Sequence, residues 1–352
     1  MKDLKTTNSL LLIIVIPIIF YLLKILSFIF IPLVASMFIS LLFLPLLRWL
    51  KKRKVPKLVS VSIVISIIVA GLFLIGRLIR ISSNEILMAN SGFVEKAELK
   101  ISSLIINIQN FLGIENLEID KIISNAFHND QTIGQLGTGI DMVSNTVSMS
   151  LMTLFFLVLL LSESFNFENL MNNTIFKIKY SSVKIFRNIE KDILRFVMVK
   201  FIISLFTGIG FTLACLFFDV SFPIFWGLFA FAINFVQMIG SVISVVLLSL
   251  FSLVELDPTG TLLFFILSIT FVQVLMGGIL EPIFMGKTFS INIITILVML
   301  MFWGYIWGIP GLILSIPITV FMKIIFEYFP STRLISNLME GSDRKISIRI
   351  KK

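Results

Sequence analysis

Residues 58–79 read LVSVSIVISIIVAGLFLIGRLI and carry no charge before Arg77. A hydrocarbon core of about 30 Å needs about 20 helical residues, and this run supplies them. Directly before it stands KKRKVPK (51–57), in which five bases occur without an acid. Cytoplasmic loops of membrane proteins carry an excess of lysine and arginine. Together the two stretches predict a membrane-spanning helix that starts on the cytoplasmic side.

The rest of the chain shares this apolar character. Of 352 residues, 57% are hydrophobic and 14% charged, with a mean hydropathy of +1.04. Soluble domains carry about 25% charged residues. The composition therefore predicts an all-α, polytopic transmembrane protein whose main surroundings are the lipid bilayer. The net charge of +9 comes largely from short basic clusters beside apolar runs, which indicates topology and not nucleic-acid binding.

Apolar blocks complete about eight predicted spans, some of them broken. The first two blocks are predicted to form a tight helical hairpin. The last block is long enough for two crossings, but counting it as one broken span leaves both termini in the cytoplasm, as the basic tail favours. The blocks are 10–23, 25–47, 58–79, 142–161, 201–218, 222–254, 261–280 and 291–326.

Charge and periodicity divide the chain into five parts. Residues 81–140 hold seven acids against three bases, so they are predicted to lie outside the cytoplasm. Apolar stripes at 94–112 and 119–126 predict two amphipathic helices there, the first ending at Gly113. The parts are 1–80 with the first three spans, 81–140 as the extracytoplasmic helical segment, 141–200 with the fourth span and a cytoplasmic amphipathic helix, 201–330 as a transmembrane core with broken helices, and 331–352 as a basic cytoplasmic tail.

No enzyme constellation is present. His128 is the one histidine and Cys215 the one cysteine, so the sequence predicts no metal site and no disulfide within the chain. It also lacks the Gly-x-x-x-x-Gly-Lys loop that binds nucleotide phosphates. We expect no cofactor, and any active transport would draw on a proton or sodium gradient or on an external partner.

Polar and helix-breaking residues interrupt the apolar blocks of the C-terminal half. Broken backbone is tolerated at membrane depth only where it is buried in protein or lines a wet cavity. Transporters commonly place such breaks at their substrate sites. The predicted substrate-path or coupling residues are Asn234, Gln237, Gly240, Glu281, Pro282, Gly286, Lys287 and Asn292. The predicted helix breaks and packing positions are Gly208, Gly210, Gly304, Gly308, Pro310, Gly311 and Pro317.

Two of these predictions have a second interpretation that the sequence leaves open. A buried Glu281 carboxylate could exchange a proton or bind a cation, whereas at the membrane interface it would pair with Lys287. Gly304 and Gly308 are four residues apart, a spacing that suits close helix packing. It suits a helix break at Pro310 equally well.

Charged residues near span ends are predicted to anchor the helices at the membrane interface. Their long side chains can reach the headgroups from within the apolar layer. These residues are Lys24, Lys200, Lys323 and Glu327.

Four ordered motifs of the C-terminal half resemble the autoinducer-2 exporter family of bacterial membrane proteins. They are KFIISLFTGIG (200–210), WGLFAFAINFVQMIG (226–240), EPIFMG (281–286) and FWGYIWGIPGLILSIP (302–317). The size, the early hairpin, the central polar segment and the basic loops are similar as well. The family usually has Ile-Pro-Tyr-Ile-Gly where this chain has residues 236–240, VQMIG.

The resemblance implies a multi-pass transporter, most simply an exporter, of the bacterial cytoplasmic (inner) membrane. Some relatives are associated with a furanosyl signalling molecule and others with sodium or proton exchange. The leading hypothesis is a secondary exporter of a small polar metabolite of the autoinducer-2 type. A cation/proton antiporter and a membrane scaffold without transport remain alternatives. The amphipathic segments predict a homo-oligomer.

Overall fold

The computed structural model describes residues 2–112, 149–162, 180–236, 239–256, 260–285, 291–329 and 332–340. These residues form helices and connecting turns, with no strand among them. The helices are α1 (Lys2–Ile25), α2 (Ser27–Lys52), α3 (Lys57–Leu112), α4 (Met149–Ser162), α5 (Tyr180–Phe217), α6 (Pro223–Ile233), α7 (Ile239–Glu255), α8 (Gly260–Gln273), α9 (Glu281–Met285), α10 (Ile293–Tyr328) and α11 (Arg333–Met339). A π-helical segment, Val274–Leu280, joins α8 to α9.

Within the described part of the chain, five helical stretches are long and apolar enough to cross a membrane. Large apolar side chains cover their outer faces, as at Leu58 and Phe73, which are 81% and 73% exposed. A helix satisfies its own backbone groups, so such a face can lie in hydrocarbon. The prediction of an all-α, polytopic membrane protein is therefore confirmed. The five stretches are Ser27–Lys52, Lys57–Glu85, Arg187–Phe217, Gly260–Met285 and Ile293–Tyr328, and α4, α6 and α7 are shorter apolar helices.

The first two apolar blocks do not form the predicted hairpin: α1 and α2 are separated by the single residue Leu26, whose N–H and carbonyl both keep helical hydrogen bonds, so the helices continue one another across a kink. Helix α1 lies beside α10, where the Phe20 and Phe302 rings pack edge to face at 4.8 Å. The Trp307 indole donates to the Leu23 carbonyl at 3.0 Å. The N-terminal helices therefore support the last apolar block of the chain.

Helix α3 continues beyond the predicted third span. The sequence predicts a span over 58–79 and then a separate amphipathic helix, but the described helix runs unbroken for 56 residues, about 84 Å. That length is more than twice a hydrocarbon core of about 30 Å. The first amphipathic stripe is therefore an extension of the span. The second predicted stripe, 119–126, lies outside the described residues.

Helices α6 and α7 form a hairpin that enters and leaves on one side. Helix α6 has 11 residues, about 16 Å, which is too short for a bilayer. Ser221, before α6, donates its backbone N–H to Glu255, at the end of α7, at 2.9 Å. At the other end of the hairpin, a Cβ on Gly240 would collide with the Ile233 carbonyl. The two arms therefore approach each other at Ile233 and Gly240, and this end is called the tip of the hairpin.

Helix α10 is a second hairpin, folded back at Gly308. The backbone of Gly308 leaves the helical region at φ 63° and ψ −140°. A Cβ on Gly311 would collide with the Trp303 carbonyl, although eight residues of straight helix would separate the two by about 12 Å. The Asn292 N–H donates to the Met339 carbonyl at 2.8 Å, so the chain returns to the level where α10 began.

The two hairpins open toward opposite ends of α5. Asp192, near the start of α5, accepts from the Tyr328 hydroxyl at the open end of the α10 hairpin. The Ser221 and Glu255 pair lies beyond the other end of α5. The blocks at 222–254 and 291–326 were each predicted as one broken span, but both reverse direction in the structure. In hydrocarbon an apolar arm that crosses and one that turns back have the same composition, so the reversal leaves little signal in the sequence.

Candidate transport site at the hairpin tips

A buried ion pair joins α5 to α9. Lys200 Nζ donates to Glu281 Oε1 at 2.8 Å and to Oε2 at 3.0 Å. The side chains are 2% and 6% exposed, so both charges are withdrawn from solvent and lipid. A buried charge is tolerated when a partner compensates it, whereas removal of one partner is strongly destabilising. Lys200 and Glu281 must therefore stay together, or another group must replace the partner that moves away.

Amide and hydroxyl groups extend this polar layer to the tip of the α6–α7 hairpin. Asn234 Nδ2 donates to Ser204 Oγ at 3.1 Å, one turn along α5 from Lys200. Gln273 Nε2 donates to Ser241 Oγ at 2.6 Å and to Asn234 Oδ1 at 3.3 Å. The bonds fasten the hairpin tip to both α5 and α8.

The π-helical segment links the amide layer to the ion pair. It runs from Val274 to Leu280, directly between Gln273 and Glu281. Short π-helical stretches are rare and occur frequently at functional sites. At Gly277 a Cβ would lie 2.9 Å from Gln273 Nε2, so the absence of a side chain leaves room for the amide.

A cavity of about 300 Å³ separates the tips of the two hairpins. We expected broken backbone at this depth to line a polar path. The described lining is instead apolar, and the polar layer lies behind the tip of the α6–α7 hairpin. The lining includes Phe229, Ala232, Val236, Ile239, Ile309 and Leu312.

The α10 glycines combine both roles that the sequence left open. Gly308 is the break, since its positive φ favours glycine. Gly304 is a packing position, because a Cβ there would lie 2.6 Å from Leu312 Cδ2 of the opposite arm. Pro310 stands at the start of the second arm, where a missing N–H costs little. Pro317 is buried within that arm.

Two further predicted glycines bring α5 against its neighbours. A Cβ on Gly208 would lie 2.7 Å from the Gly227 carbonyl oxygen of α6. On Gly210 it would lie 2.7 Å from Val272 Cγ1 of α8. Both are packing positions and keep the helices that carry the polar layer close together.

The remaining predicted site residues do not join the polar layer. Asn292 caps α10 by accepting from the Ile294 N–H at 3.0 Å. Pro282 lies in α9 and is exposed. Gln237, Gly286 and Lys287 fall outside the described residues, so the proposed pairing of Glu281 with Lys287 stays untested. The partner that the structure gives Glu281 is Lys200.

Sequence reasoning misplaced two lysines. Lys200 and Lys323 were predicted to reach the membrane interface, but they are 2% and 1% exposed inside the protein. Lys323 lies 3.8 Å from Glu340, just after α11. Lys200 ends a long basic segment, and the charge pattern alone indicates that it is exposed like its neighbours. Its position directly before an apolar run was the available signal.

Gln273 and Ser204 were missed altogether. Both lie within apolar runs, and a polar side chain at membrane depth is costly and tends to be functional. Gln273 stands alone in ITFVQVLMGG (269–278), which was the signal for it. A serine gives no such signal, because its hydroxyl can bond within its own helix.

The chain also matches known proteins along most of its length. The family described as AI-2E family transporter matches residues 10–331. A protein of Borreliella burgdorferi named "Putative transport protein" is 29% identical over 91% of this chain and 87% of its own length. The AI-2 transport protein TqsA of Escherichia coli is 24% identical over 90% of this chain and 91% of its own. A "Putative transport protein" of Haemophilus influenzae is 23% identical over 88% and 89%. With its helical spans and a family match along nearly its entire length, this chain belongs to the AI-2E family of membrane transporters.

Proposed function

We propose that the protein is a secondary exporter of a small polar metabolite of the autoinducer-2 type in the bacterial inner membrane. The name of the Escherichia coli relative supports the cargo class. The observation that carries the proposal is the buried polar layer behind the α6–α7 tip, formed by Lys200, Glu281, Asn234 and Gln273. Burying a charged pair and two amides in an apolar interior is costly, and polar groups at membrane depth tend to be functional.

The α6–α7 tip is the moving part in this proposal. Asn234 holds the tip to α5 and α8 through its bonds with Ser204 and Gln273. When these bonds break, the amides can bond to a polar solute, which replaces the lost partners. The apolar cavity on the other side of the tip provides space into which the tip can move. Release and rebinding of the tip would then alternate access to the polar layer.

The ion pair is the proposed coupling element. Lys200 satisfies both carboxylate oxygens of Glu281 in this state. If Glu281 takes up a proton, the attraction that holds α9 to α5 weakens, and the π segment next to it is free to shift. Proton uptake would thus drive a conformational change at Gln273, which stands at the other end of the π segment.

Flux into proteoliposomes under imposed pH gradients tests this function. The purified protein is reconstituted with autoinducer-2 or with a panel of small polar metabolites, and uptake is measured for wild type and Glu281→Gln. We expect the variant to lose the dependence of flux on the pH gradient. Lys191→Gln, which removes an exposed charge from the same helix α5, should behave as wild type. Unchanged flux of Glu281→Gln at every gradient would remove Glu281 from the coupling role.

The same ion pair also favours a second candidate, a cation/proton antiporter. A buried carboxylate can bind a sodium ion as well as a proton when its lysine partner moves away. Sodium efflux driven by a pH gradient, in proteoliposomes without any metabolite, would support this alternative. Salt-sensitive growth that expression of the chain does not rescue would count against it.

We also infer that the open end of the α10 hairpin faces the cytoplasm. Arg48, after which the basic run 51–57 follows, pairs with Glu190 of α5. Tyr328 bonds to Asp192, two residues along the same helix. The positive-inside rule assigns this end to the cytoplasm. Assembly as a homo-oligomer remains a prediction.

A further inference from the structure

A second cavity, of about 430 Å³, lies between α3 and α6. Its volume falls within the range of about 300–1,000 Å³ that is usual for small-molecule sites. Apart from two serines of α3, the described lining is apolar. The lining includes Ile75, Ile79, Ser82, Phe225, Phe229 and Ala232.

The rim of this cavity is formed by apolar helices that we assign to the membrane. Ile79 and Phe225 are 52% and 37% exposed, and both lie in segments that we place at membrane depth. The medium in contact with the rim is therefore lipid acyl chains.

Two adjacent serines, Ser82 and Ser83, stand at one end of this otherwise apolar cavity. Ser82 is 4% exposed, and its Oγ has no hydrogen-bond partner among the described residues. One turn along α3, beyond the lining of the cavity, Glu85 Oε2 is also buried without such a partner. Glu85 follows the predicted span 58–79 and the charged residues Arg77 and Arg80, so this end is expected near the membrane surface. Buried polar groups are usually hydrogen-bonded, and the Ser82 hydroxyl and the Glu85 carboxylate oxygen, on one face of α3, can both accept from a donor.

The cavity also adjoins the tip cavity. Phe229 and Ala232 line both, so one turn of α6 forms the wall between them. Whatever fills the second cavity lies against the helix that carries the hairpin tip.

We propose that this cavity binds one acyl chain of a bilayer phospholipid whose headgroup carries a hydrogen-bond donor. The chain fills the apolar part between Ile79 and Ala232. The headgroup ammonium or hydroxyl donates to Ser82 and Glu85 at the membrane surface. The bound chain supports α6 from the side of α3. This inference does not depend on the cargo.

Photo-crosslinking in proteoliposomes tests the site. The full-length protein is reconstituted with phosphatidylethanolamine that carries a diazirine in one acyl chain, illuminated, and mapped by peptide mass spectrometry. We expect labelling of 75–82 and 225–232 to exceed that of the lipid-facing residues Leu213 and Leu216 of α5. Ala232→Trp, which fills the cavity, should lower it to the level of α5. Leu250→Trp, an exposed position of α7, should leave it unchanged.

The headgroup is tested with a matched probe. Phosphatidylcholine with the same diazirine chain has no donor, so it should label the two segments less than phosphatidylethanolamine does. Ser82→Ala should reduce that difference. Ile79→Trp fills the same cavity from α3 and replaces Ala232→Trp if that variant does not fold. Two results would overturn the proposal. In the wild type, 75–82 and 225–232 would be labelled no more than α5, or neither tryptophan variant would lower their labelling.

Discussion

At the scale of single residues, burial of the Lys200 and Glu281 charges has a large desolvation cost. Each group is compensated by the other, and the side chains are 2% and 6% exposed. Pairs of this kind often contribute little net stability, because desolvation offsets their attraction. A need to hold the fold together therefore explains the pair poorly, which agrees with the coupling role proposed for it.

Removal of one partner of this ion pair should lower the free energy of unfolding by the desolvation cost of the other. Lys200→Met leaves the Glu281 carboxylate buried and unpaired, and we expect a loss of about 3–5 kcal/mol in the free energy of unfolding. The double variant Lys200→Met/Glu281→Leu should recover most of it, since no buried charge remains. Unfolding in detergent measures both, with Lys191→Met as the exposed control. A single variant as stable as wild type would show that the carboxylate finds another partner.

The backbone of Gly308 permits a second residue-scale prediction. At φ 63° and ψ −140° an L side chain is strained, although a Cβ there would meet no atom within 4 Å. Gly308→Ala should therefore cost about 1–3 kcal/mol through the backbone alone. Gly76→Ala in α3 also meets no atom within 4 Å but is helical, so it should stabilise by about 0.5–1 kcal/mol. Equal effects of the two substitutions on thermal unfolding in detergent would contradict a sharp reversal at Gly308.

At the scale of elements, the π segment connects the two halves of the polar layer. It follows Gln273 and precedes Glu281, so a change in its winding alters both. Gly277 faces the Gln273 amide, while Gly278 points away and would meet only Val274, at 3.8 Å. Neighbouring glycines of one turn thus have different surroundings.

This difference predicts unequal effects of two alanines. Gly277→Ala should displace the Gln273 amide from Ser241 and lower the rate of metabolite flux in proteoliposomes. Gly278→Ala adds the same methyl group to the same segment without contact and should keep nearly wild-type flux. Equal flux of both variants, at matched amounts of folded protein, would show that the Gln273 contact plays no part in transport.

Sequence patterns predict the helices better than their directions. The run at 58–79 and the interruptions near Asn234 and Gly308 are local signals, and the structure contains a helix or a reversal at each. The hairpins are not local, because an apolar arm has the same composition whether it crosses or returns. The partner of Glu281 is 81 residues away, and nothing in either neighbourhood indicates the pairing.

At the scale of the whole molecule, two hairpins enter from opposite ends and meet at their tips. Neither hairpin crosses alone, so in the proposed transport cycle the two tips, with the cavity between them, would form the barrier between the two sides. Transporters commonly bind substrate near the midplane, at broken helices. A movement of one tip would therefore open the barrier without moving the long helices α3 and α5.

The arrangement predicts which side each connection faces. In a Cys215→Ser background, single cysteines at Asp219 and Thr261 flank the α6–α7 hairpin, and cysteines at Asn292 and Arg333 flank α10. A membrane-impermeant maleimide applied to spheroplasts should label the first two, and applied to inside-out vesicles it should label the last two. A crossing α6–α7 would place Asp219 and Thr261 on different sides, and a crossing α10 would separate the other pair. Because each hairpin is tested by its own pair, the measurement distinguishes two returning hairpins from one.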